Sequence, residues 1–243
     1  MASTVTSDSV EVLGTPVRFP VTVRDGSAGS AAFAARADAI ARLLPVGLAP
    51  VQIAPGVALA MLAMVDYRDN DLGDYAEAAV VFPCAPTSGG LVATARAAVA
   101  GRAGGYIHRL PVTQEFTRAA GRQLWGYPKT VDQVSLDVGE RRTRCTWRAD
   151  GEFVWELVVP RGQRLRQVPP RAMTTYSVLD GRVVATEFRA GGTGVRVGRG
   201  GRVTLGDHPV ARELAGVLRS HTPLWTMWIE HVEATFGAPQ PLA

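Results

Sequence analysis

The sequence predicts an α+β fold in which an antiparallel sheet outweighs a few helices. Strand patterns dominate the second half, where alternating apolar residues flank an Asp-Gly turn at 150–151. Helical spacing is clearest early and in the middle of the chain. The glycines of 191–201 contain no GxGxxG and precede no helical pattern, so we interpret them as hairpin turns rather than a phosphate site. Strands and helices that segregate in this way indicate an α+β fold.

The first half contains one predicted helix and two predicted strands. Residues 31–44 place apolar side chains at helical spacing, and Pro45 ends that pattern. The apolar stripe consists of Phe33, Ala37, Ile40 and Leu44. Residues 56–68 and 75–83 are apolar or alternating, which predicts two strands on either side of a polar loop at 68–74.

The second half begins with a predicted helix over 114–124, with Thr113 as its N-cap and Gly126 near its end. Two alternating runs then predict a hairpin. Their apolar positions are Thr143, Cys145 and Trp147 on one strand, and Phe153, Trp155, Leu157 and Val159 on the other.

The C-terminal part continues with three predicted strands and a short helix. The strands cover 182–190, 193–198 and 201–205, and the helix covers 209–218. Residues 224–236 fit two patterns. A helix would align Trp225, Trp228, Val232 and Phe236, whereas a strand would align Trp225, Met227 and Ile229.

The composition is that of an ordinary globular protein. The chain of 243 residues is 47% apolar and 20% charged, with a formal net charge of +4. Arginine is dense at 141–148 and 161–171, but without interleaved aromatic residues or a known module we expect no nucleic-acid partner. The two cysteines, Cys84 and Cys145, form no metal or disulfide pattern and are expected to be buried free thiols.

No segment of the sequence indicates export or membrane insertion. Residues 1–10 lack the apolar core of a signal peptide, and the longest apolar stretch, 57–65, is too short to span a bilayer. There is no internal repeat and no long linker. We therefore expect a single domain over 1–243 that is soluble, cytoplasmic and without a membrane partner.

Lys129 is the single lysine of a chain whose other basic side chains are all arginine. Lysine differs from arginine in having an amine that can lose its proton, attack a carbonyl and form a Schiff base. Lys129 lies in an aromatic, Gly/Pro-shaped turn, Trp125-Gly126-Tyr127-Pro128-Lys129-Thr130, with no other charge. With a pKa near 10.4, only about one amine in 2,500 is free at pH 7, so a nucleophilic lysine requires burial or a neighbouring cation.

Three landmarks in the sequence resemble the acetoacetate decarboxylase family. Residues 121–129, Gly-Arg-Gln-Leu-Trp-Gly-Tyr-Pro-Lys, are similar to the family signature that ends in the imine-forming lysine. Residues 72–77, Leu-Gly-Asp-Tyr-Ala-Glu, are similar to the segment with the active-site glutamate. Arg18-Phe19 followed by Arg24-Asp25 is similar to the segment that supplies an active-site arginine. The landmarks occur in the family order and cover about residues 17–130.

The resemblance implies a fold and a set of site residues. The fold is a conical antiparallel β-sheet that encloses the active site, with a few flanking helices, usually in a homo-oligomer. The implied catalytic residues are Lys129, which forms the imine, and Glu77, which acts as general acid and base. Arg24 would bind a substrate carboxylate, with a surface position as the alternative. Tyr127 would contact substrate or only pack, and Arg109 would contact substrate or lie at the surface.

Two departures from the family pattern bear on the reaction. The decarboxylases have a second lysine after the first, which helps to lower the pKa of the first, and Thr130 occupies that position here. A second upstream acidic residue is replaced within the apolar run 58–64. We therefore predict a Schiff-base lyase of specialised metabolism that carries out aldol and dehydration chemistry on a small keto acid, without metal or organic cofactor. Decarboxylation of a β-keto acid is the first alternative, and non-catalytic ligand binding is the second.

Overall fold

The computed structural model describes residues 9–87, 103–165 and 168–242. Within them the chain forms three helices: α1 (Ala37–Leu43), α2 (Glu115–Trp125) and α3 (Pro209–Val217). The strands are β1 (Ser9–Val12), β2 (Thr15–Arg18), β3 (Val21–Arg36), β4 (Leu48–Pro50), β5 (Gln52–Ala54), β6 (Val57–Asn70), β7 (Tyr75–Pro86), β8 (Gly104–Val112), β9 (Lys129–Val131), β10 (Gln133–Val138), β11 (Arg142–Ala149), β12 (Glu152–Pro160), β13 (Gln163–Arg164), β14 (Val168–Leu179), β15 (Arg182–Thr193), β16 (Arg196–Gly198), β17 (Arg202–Leu205), β18 (Trp225–Ile229), β19 (His231–Phe236) and β20 (Gln240–Pro241). The predicted α+β class is confirmed. None of these helices has the length and apolar character needed to cross a membrane.

Seven of the strands close into a ring. Its order is β3, β19, β15, β14, β8, β7 and β6, and β6 pairs with β3 to complete it. The pairings around the ring are antiparallel except for β8 with β14, and β9 adds to β8 in parallel at the side. A closed sheet has an inside and an outside, so alternate residues of each strand face two different environments.

Strands β6 and β7 show this alternation clearly. Cross-strand pairs such as Val65 with Glu77 and Tyr67 with Tyr75 place these four side chains toward the inside of the ring. Residues on the opposite face of these strands, such as the cross-strand pair Met64 and Ala78, belong to a second apolar core on the outside. Both faces of these strands are therefore covered.

The outer core lies between the ring and a smaller sheet of order β10, β11, β12 and β17. The predicted hairpin over 143–159 is confirmed as β11 and β12, which turn at Asp150-Gly151 and place Trp147 opposite Trp155. Helices α1 and α3 pack into the same core through Ile40 and Leu214. Cys84 and Cys145 are both buried and free, as predicted.

The predicted helix over 31–44 is wrong in its first half. Residues 31–35 belong to β3, and the helix begins only at Ala37. The error has a physical cause. Ala31, Ala32 and Phe33 are completely buried, and a strand that is covered on both faces shows a continuous apolar run that periodicity does not distinguish from a helix. The ambiguous residues 224–236 form the two strands β18 and β19.

Helix α2 ends as predicted but begins differently. Gly126 adopts a left-handed backbone with φ of 65°, and its N–H donates to the carbonyl of Arg122 at 3.0 Å. Thr113 does not cap the helix. Gln114 occupies the N-cap without a side-chain capping bond, and the Thr113 hydroxyl accepts instead from the Ala76 N–H at 3.0 Å. Thr113 therefore joins the start of this segment to β7.

Candidate active site

The inside of the ring contains a cavity of about 190 Å³. All seven ring strands contribute to its wall, and most of the lining side chains are apolar. The charged groups, Glu77 of β7 and Lys129 of β9, lie together in this wall, whereas Asn70 of β6 lies beside Val23 of β3. The polar lining residues are Tyr67, Asn70, Tyr75, Glu77, Tyr127, Lys129 and Thr175.

Lys129 reaches this cavity because of the way α2 ends. After the left-handed turn at Gly126, the chain reverses and begins β9 at Lys129, beside Leu110 of β8. Arg122 Nε donates to the Lys129 carbonyl at 2.7 Å and fixes the backbone there. The lysine stem then passes over Gly121, where an added Cβ would lie only 2.5 Å from Lys129 Cδ. A glycine at 121 therefore makes room for the lysine stem.

Three polar side chains surround the amine. Lys129 Nζ lies 2.9 Å from Glu77 Oε2 and donates to Thr117 Oγ1 at 3.0 Å and to Tyr75 Oη at 3.4 Å. The side chains of Lys129 and Glu77 are only 4% and 9% exposed. The Tyr67 hydroxyl donates to the other carboxylate oxygen, Glu77 Oε1, at 3.4 Å. Lysine and glutamate thus form a buried, hydrogen-bonded pair at the polar end of the cavity.

The two influences on the pKa of Lys129 oppose each other. Burial lowers this pKa, whereas the negative charge of Glu77 raises it, and the net direction is upward. The resting site therefore contains an ammonium paired with a carboxylate. Because both groups are shielded from water, their contact at 2.9 Å offsets part of the cost of burying them.

Tyr127 lies in the wall of the cavity beside this pair. Its ring stacks on Trp125 with centroids 5.6 Å apart, and its hydroxyl shares a hydrogen bond with Thr175 Oγ1 at 2.7 Å. Burial raises the pKa of Tyr127 to about 12, so the phenol stays neutral. The structure thus brings Tyr127 together with Lys129 and Glu77.

Arg24 lies outside the cavity. Its guanidinium contacts Asp69 and Asp71, each at 2.7 Å, and its side chain is 48% exposed. The neighbouring residue of β3, Val23, points inward, so the alternation of the strand turns Arg24 outward. This arrangement does not present Arg24 to a molecule in the cavity.

Arg109 also faces away from the cavity. Its Nη2 lies 3.1 Å from Glu213 of α3, and the same carboxylate lies 2.7 Å from His108 Nε2. Ile107 and Leu110 line the cavity on either side of this outward segment. Arg109 and His108 therefore attach α3 to the outside of the ring.

The sequence interpretation missed three polar residues that contact the pair, namely Tyr67, Tyr75 and Thr117. Tyr75 lies two residues before Glu77 on the same strand face, which strand alternation could have indicated. Thr117 lies one helical turn before Gly121, which places both on one face of α2. Among the described residues, no group of three His, Cys, Asp or Glu side chains could hold a metal ion.

The sequence model of one family, acetoacetate decarboxylase, matches residues 12–234. The chain therefore belongs to the acetoacetate decarboxylase family. A search of curated protein sequences finds no match.

Solved structures confirm the fold. Acetoacetate decarboxylase from Legionella pneumophila is similar with a TM-score of 0.66 at 15% identity, over 92% of this chain and 87% of the other. The enduracididine biosynthesis enzyme MppR in complex with pyruvate is similar with a TM-score of 0.63 at 18% identity, over 93% of this chain and 92% of the other. MppR with the condensation product of pyruvate and imidazole 4-carboxaldehyde is similar with a TM-score of 0.62 at 18% identity, over 93% of this chain and 91% of the other. This chain thus shares the fold of two kinds of enzyme.

Proposed function

We propose that this protein is a lyase in which Lys129 forms an imine with a small keto acid and Glu77 moves the protons. The observation that carries the proposal is the buried pair, with Lys129 Nζ 2.9 Å from Glu77 Oε2 at the end of an apolar cavity. A primary amine beside a proton acceptor in a shielded cavity is the arrangement that imine chemistry requires. Membership of a family of lyases supports the same conclusion.

The first step uses both members of the pair. The Lys129 ammonium transfers a proton to Glu77, the free amine attacks the carbonyl carbon, and a proton from the attacking nitrogen moves to the carbonyl oxygen, which becomes a hydroxyl. Glu77 then returns its proton to that hydroxyl, which leaves as water, and a protonated imine forms on Nζ. Tyr75 and Thr117 hold the amine in place during these steps through their hydrogen bonds. Protons and electrons balance without a further reactant.

We propose aldol condensation followed by dehydration as the reaction of this iminium. Loss of a proton from the adjacent carbon to Glu77 gives an enamine, whose carbon attacks an aldehyde while Glu77 returns the proton to the aldehyde oxygen. Glu77 then removes a second proton from the same carbon and gives it to the departing hydroxyl, which leaves as water. Water from solvent finally hydrolyses the iminium, which releases the product and restores Lys129. The MppR structures with pyruvate and with its condensation product support this choice, since MppR shares the fold. Thr130, in the position of the second lysine, is exposed and bonds to Asp132 at 2.8 Å, so it adds no cation beside the amine.

Decarboxylation of a β-keto acid is the second candidate, and the apolar character of the cavity favours it. The iminium accepts the electron pair of the breaking bond between the carboxylate and the α-carbon. A carboxylate in an apolar cavity loses hydration that neutral carbon dioxide does not need, which promotes this cleavage. The two reactions differ in one product, since only decarboxylation releases carbon dioxide.

Borohydride trapping tests the proposal directly. The protein is incubated with pyruvate or acetoacetate and reduced with borohydride, and its mass is then measured by mass spectrometry. Because Lys129 is the single lysine, the only other primary amine is the N-terminus, and peptide mapping separates the two. We expect an adduct at Lys129 that is lost in Lys129→Arg. Carbon dioxide release then distinguishes the two reactions. A site that binds carbonyl compounds without any reducible adduct would indicate the non-catalytic alternative.

We also propose that residues 1–243 form a single domain, that it assembles into a homo-oligomer as the family resemblance implies, and that its substrate is a small molecule. Light scattering coupled to size-exclusion chromatography measures the assembly directly. A mass equal to one chain of 25.8 kDa would contradict the homo-oligomer.

A further inference from the structure

The wall of the cavity that faces the amine is apolar. In the ring order β3, β19, β15, β14, β8, β7 and β6, strand β7 with Glu77 lies across from β19 and β15. The lining side chains on these two strands are Phe188 of β15 and Phe236 of β19, and Val21 and Val23 of β3 extend the apolar surface beside β19. Asn70 of β6, paired with Val23, is a polar neighbour whose amide nitrogen donates to the Gly73 carbonyl at 2.6 Å. The two phenylalanine rings stack with centroids 5.3 Å apart and an interplanar angle of 8°. The cavity thus has a reactive polar end and an aromatic and aliphatic end.

The alternation of the strands fixes this apolar character. On β3, Val23 points inward and Arg24 contacts two aspartates outside. On β15, Phe188 points inward and Arg189 is exposed. Because the side-chain period of a strand is two, an arginine next to an inward residue faces the outside. Both arginines nearest to this wall therefore face away from a molecule bound at Lys129.

We propose that the substrate carries an uncharged branched alkyl group on the side of its carbonyl that faces away from Lys129. This inference rests on the proposed function and specifies its substrate class. A dry cavity of about 150 Å³ accommodates benzene, so 190 Å³ corresponds to a whole substrate of about six to eight non-hydrogen atoms, of which the apolar group is one part. Pyruvate, whose carbonyl has only a methyl and a carboxylate, leaves this wall uncovered or places a charge against it.

A matched pair of ketones tests the proposal on the unaltered protein. The probes are 5-methylhexan-2-one and 4-oxopentanoate, which have the same number of non-hydrogen atoms and the same carbonyl but end in an uncharged isopropyl group or in a carboxylate, and pyruvate is the third probe. Each is titrated into the protein, reduced with borohydride, and the adduct at Lys129 is measured by mass. The quantity compared is the concentration that gives half-maximal trapping.

We expect the uncharged ketone to trap Lys129 at a concentration at least about tenfold lower than its carboxylate analogue and pyruvate, since small changes in apolar contact are worth this much in a hydrophobic pocket. Equal trapping of the matched pair, or better trapping of pyruvate, would overturn the inference while the proposed function stands. No adduct with any of the three probes, or with acetoacetate, would instead count against the proposed function.

Substitutions in the wall give a second test. Phe188→Arg places a cation inside the cavity, and we expect it to reverse the preference toward the carboxylate analogue. Arg189→Gln, one residue away and outside, is the matched control and keeps the wild-type preference. Phe188→Leu keeps an apolar wall and should keep the preference for the uncharged ketone. If Phe188→Arg does not fold, Phe188→Leu and the ketone pair still decide the question, because loss of the preference in Phe188→Leu would contradict an apolar wall as its source.

Discussion

Replacing Gly121 with alanine should displace the reactive amine without unfolding the protein. The added Cβ would lie 2.5 Å from Lys129 Cδ and 2.8 Å from Lys129 Cε. Carbon atoms that are not bonded prefer about 3.5–4.0 Å, so the lysine stem must move by about 1 Å. Because the contacts are with a flexible side chain, the lysine moves rather than the helix. Its Nζ then leaves hydrogen-bonding range of Glu77 and Thr117.

We expect Gly121→Ala to reduce the catalytic rate more than the stability. A misplacement of about 1 Å at a reacting group costs roughly 10²-fold in rate. Overpacking at such a site costs about 1–3 kcal/mol of stability, while alanine in a helix gains about 1 kcal/mol over glycine. We therefore expect the free energy of unfolding of Gly121→Ala to fall by at most about 2 kcal/mol.

The assay is the rate of imine trapping at Lys129 with a fixed carbonyl compound and borohydride, together with urea unfolding. Gly216→Ala is the matched control, since Gly216 is also a helical glycine but an added Cβ would meet nothing within 4 Å. It should keep the wild-type trapping rate and gain slightly in stability. A Gly121→Ala protein that is folded and traps at the wild-type rate would refute the role we assign to this glycine.

Three further predictions concern titratable groups. Glu77→Gln removes the charge that raises the pKa of Lys129, so trapping should extend to lower pH, while turnover should fall about 10²–10⁴-fold without the general acid and base; an unchanged pH profile of trapping would contradict the pairing. Burial raises the pKa of the Cys84 thiol to about 12, so a maleimide should label this residue only after unfolding, and labelling of the native protein would show that it is accessible. The hydrogen bond from His108 holds the pKa of Glu213 below its ordinary value of 4.5, so the resulting stability is present above pH 4.5 and is lost as the pH falls through the lowered pKa. Glu213→Gln should cost about 1–3 kcal/mol near neutral pH in urea unfolding and flatten the acid dependence, and a dependence equal to that of the wild type would exclude this pair as its source.

Much of the fold was predictable because its local patterns and its packing agree. The hairpin at 143–159 was predictable because one face of each strand packs on the outer core, although a register shift after Trp147 buries Val154 there in place of the predicted Phe153. Strand β3 was missed over 31–35, because a strand buried on both faces has no alternation to detect. The end of α2 was predictable from Gly126 alone, since a left-handed C-terminal residue strongly favours glycine.

The partners of Lys129 were predictable only in part. The family resemblance indicated Glu77, and the structure places it against the amine. The structure places Arg24 outside, and the sequence contained a signal for this, because Val21 and Val23 alternate with Thr22 and Arg24 on β3. No comparable signal existed for Arg109. Ile107 and Leu110 both face the cavity although they are three residues apart, so regular alternation is broken beside Arg109.

The sequence by itself indicated the candidate nucleophile, Lys129, and determined its immediate setting. A lone lysine after Gly126-Tyr127-Pro128 is a local feature, and local backbone preferences position it. Only the tertiary structure decided what surrounds the amine and what lies opposite it. Closure of the ring brings β7 beside the amine and β15 and β19 across from it, although these strands are far apart in the chain. Such contacts depend on which strands pair and in which register, and no local pattern of residues specifies that pairing.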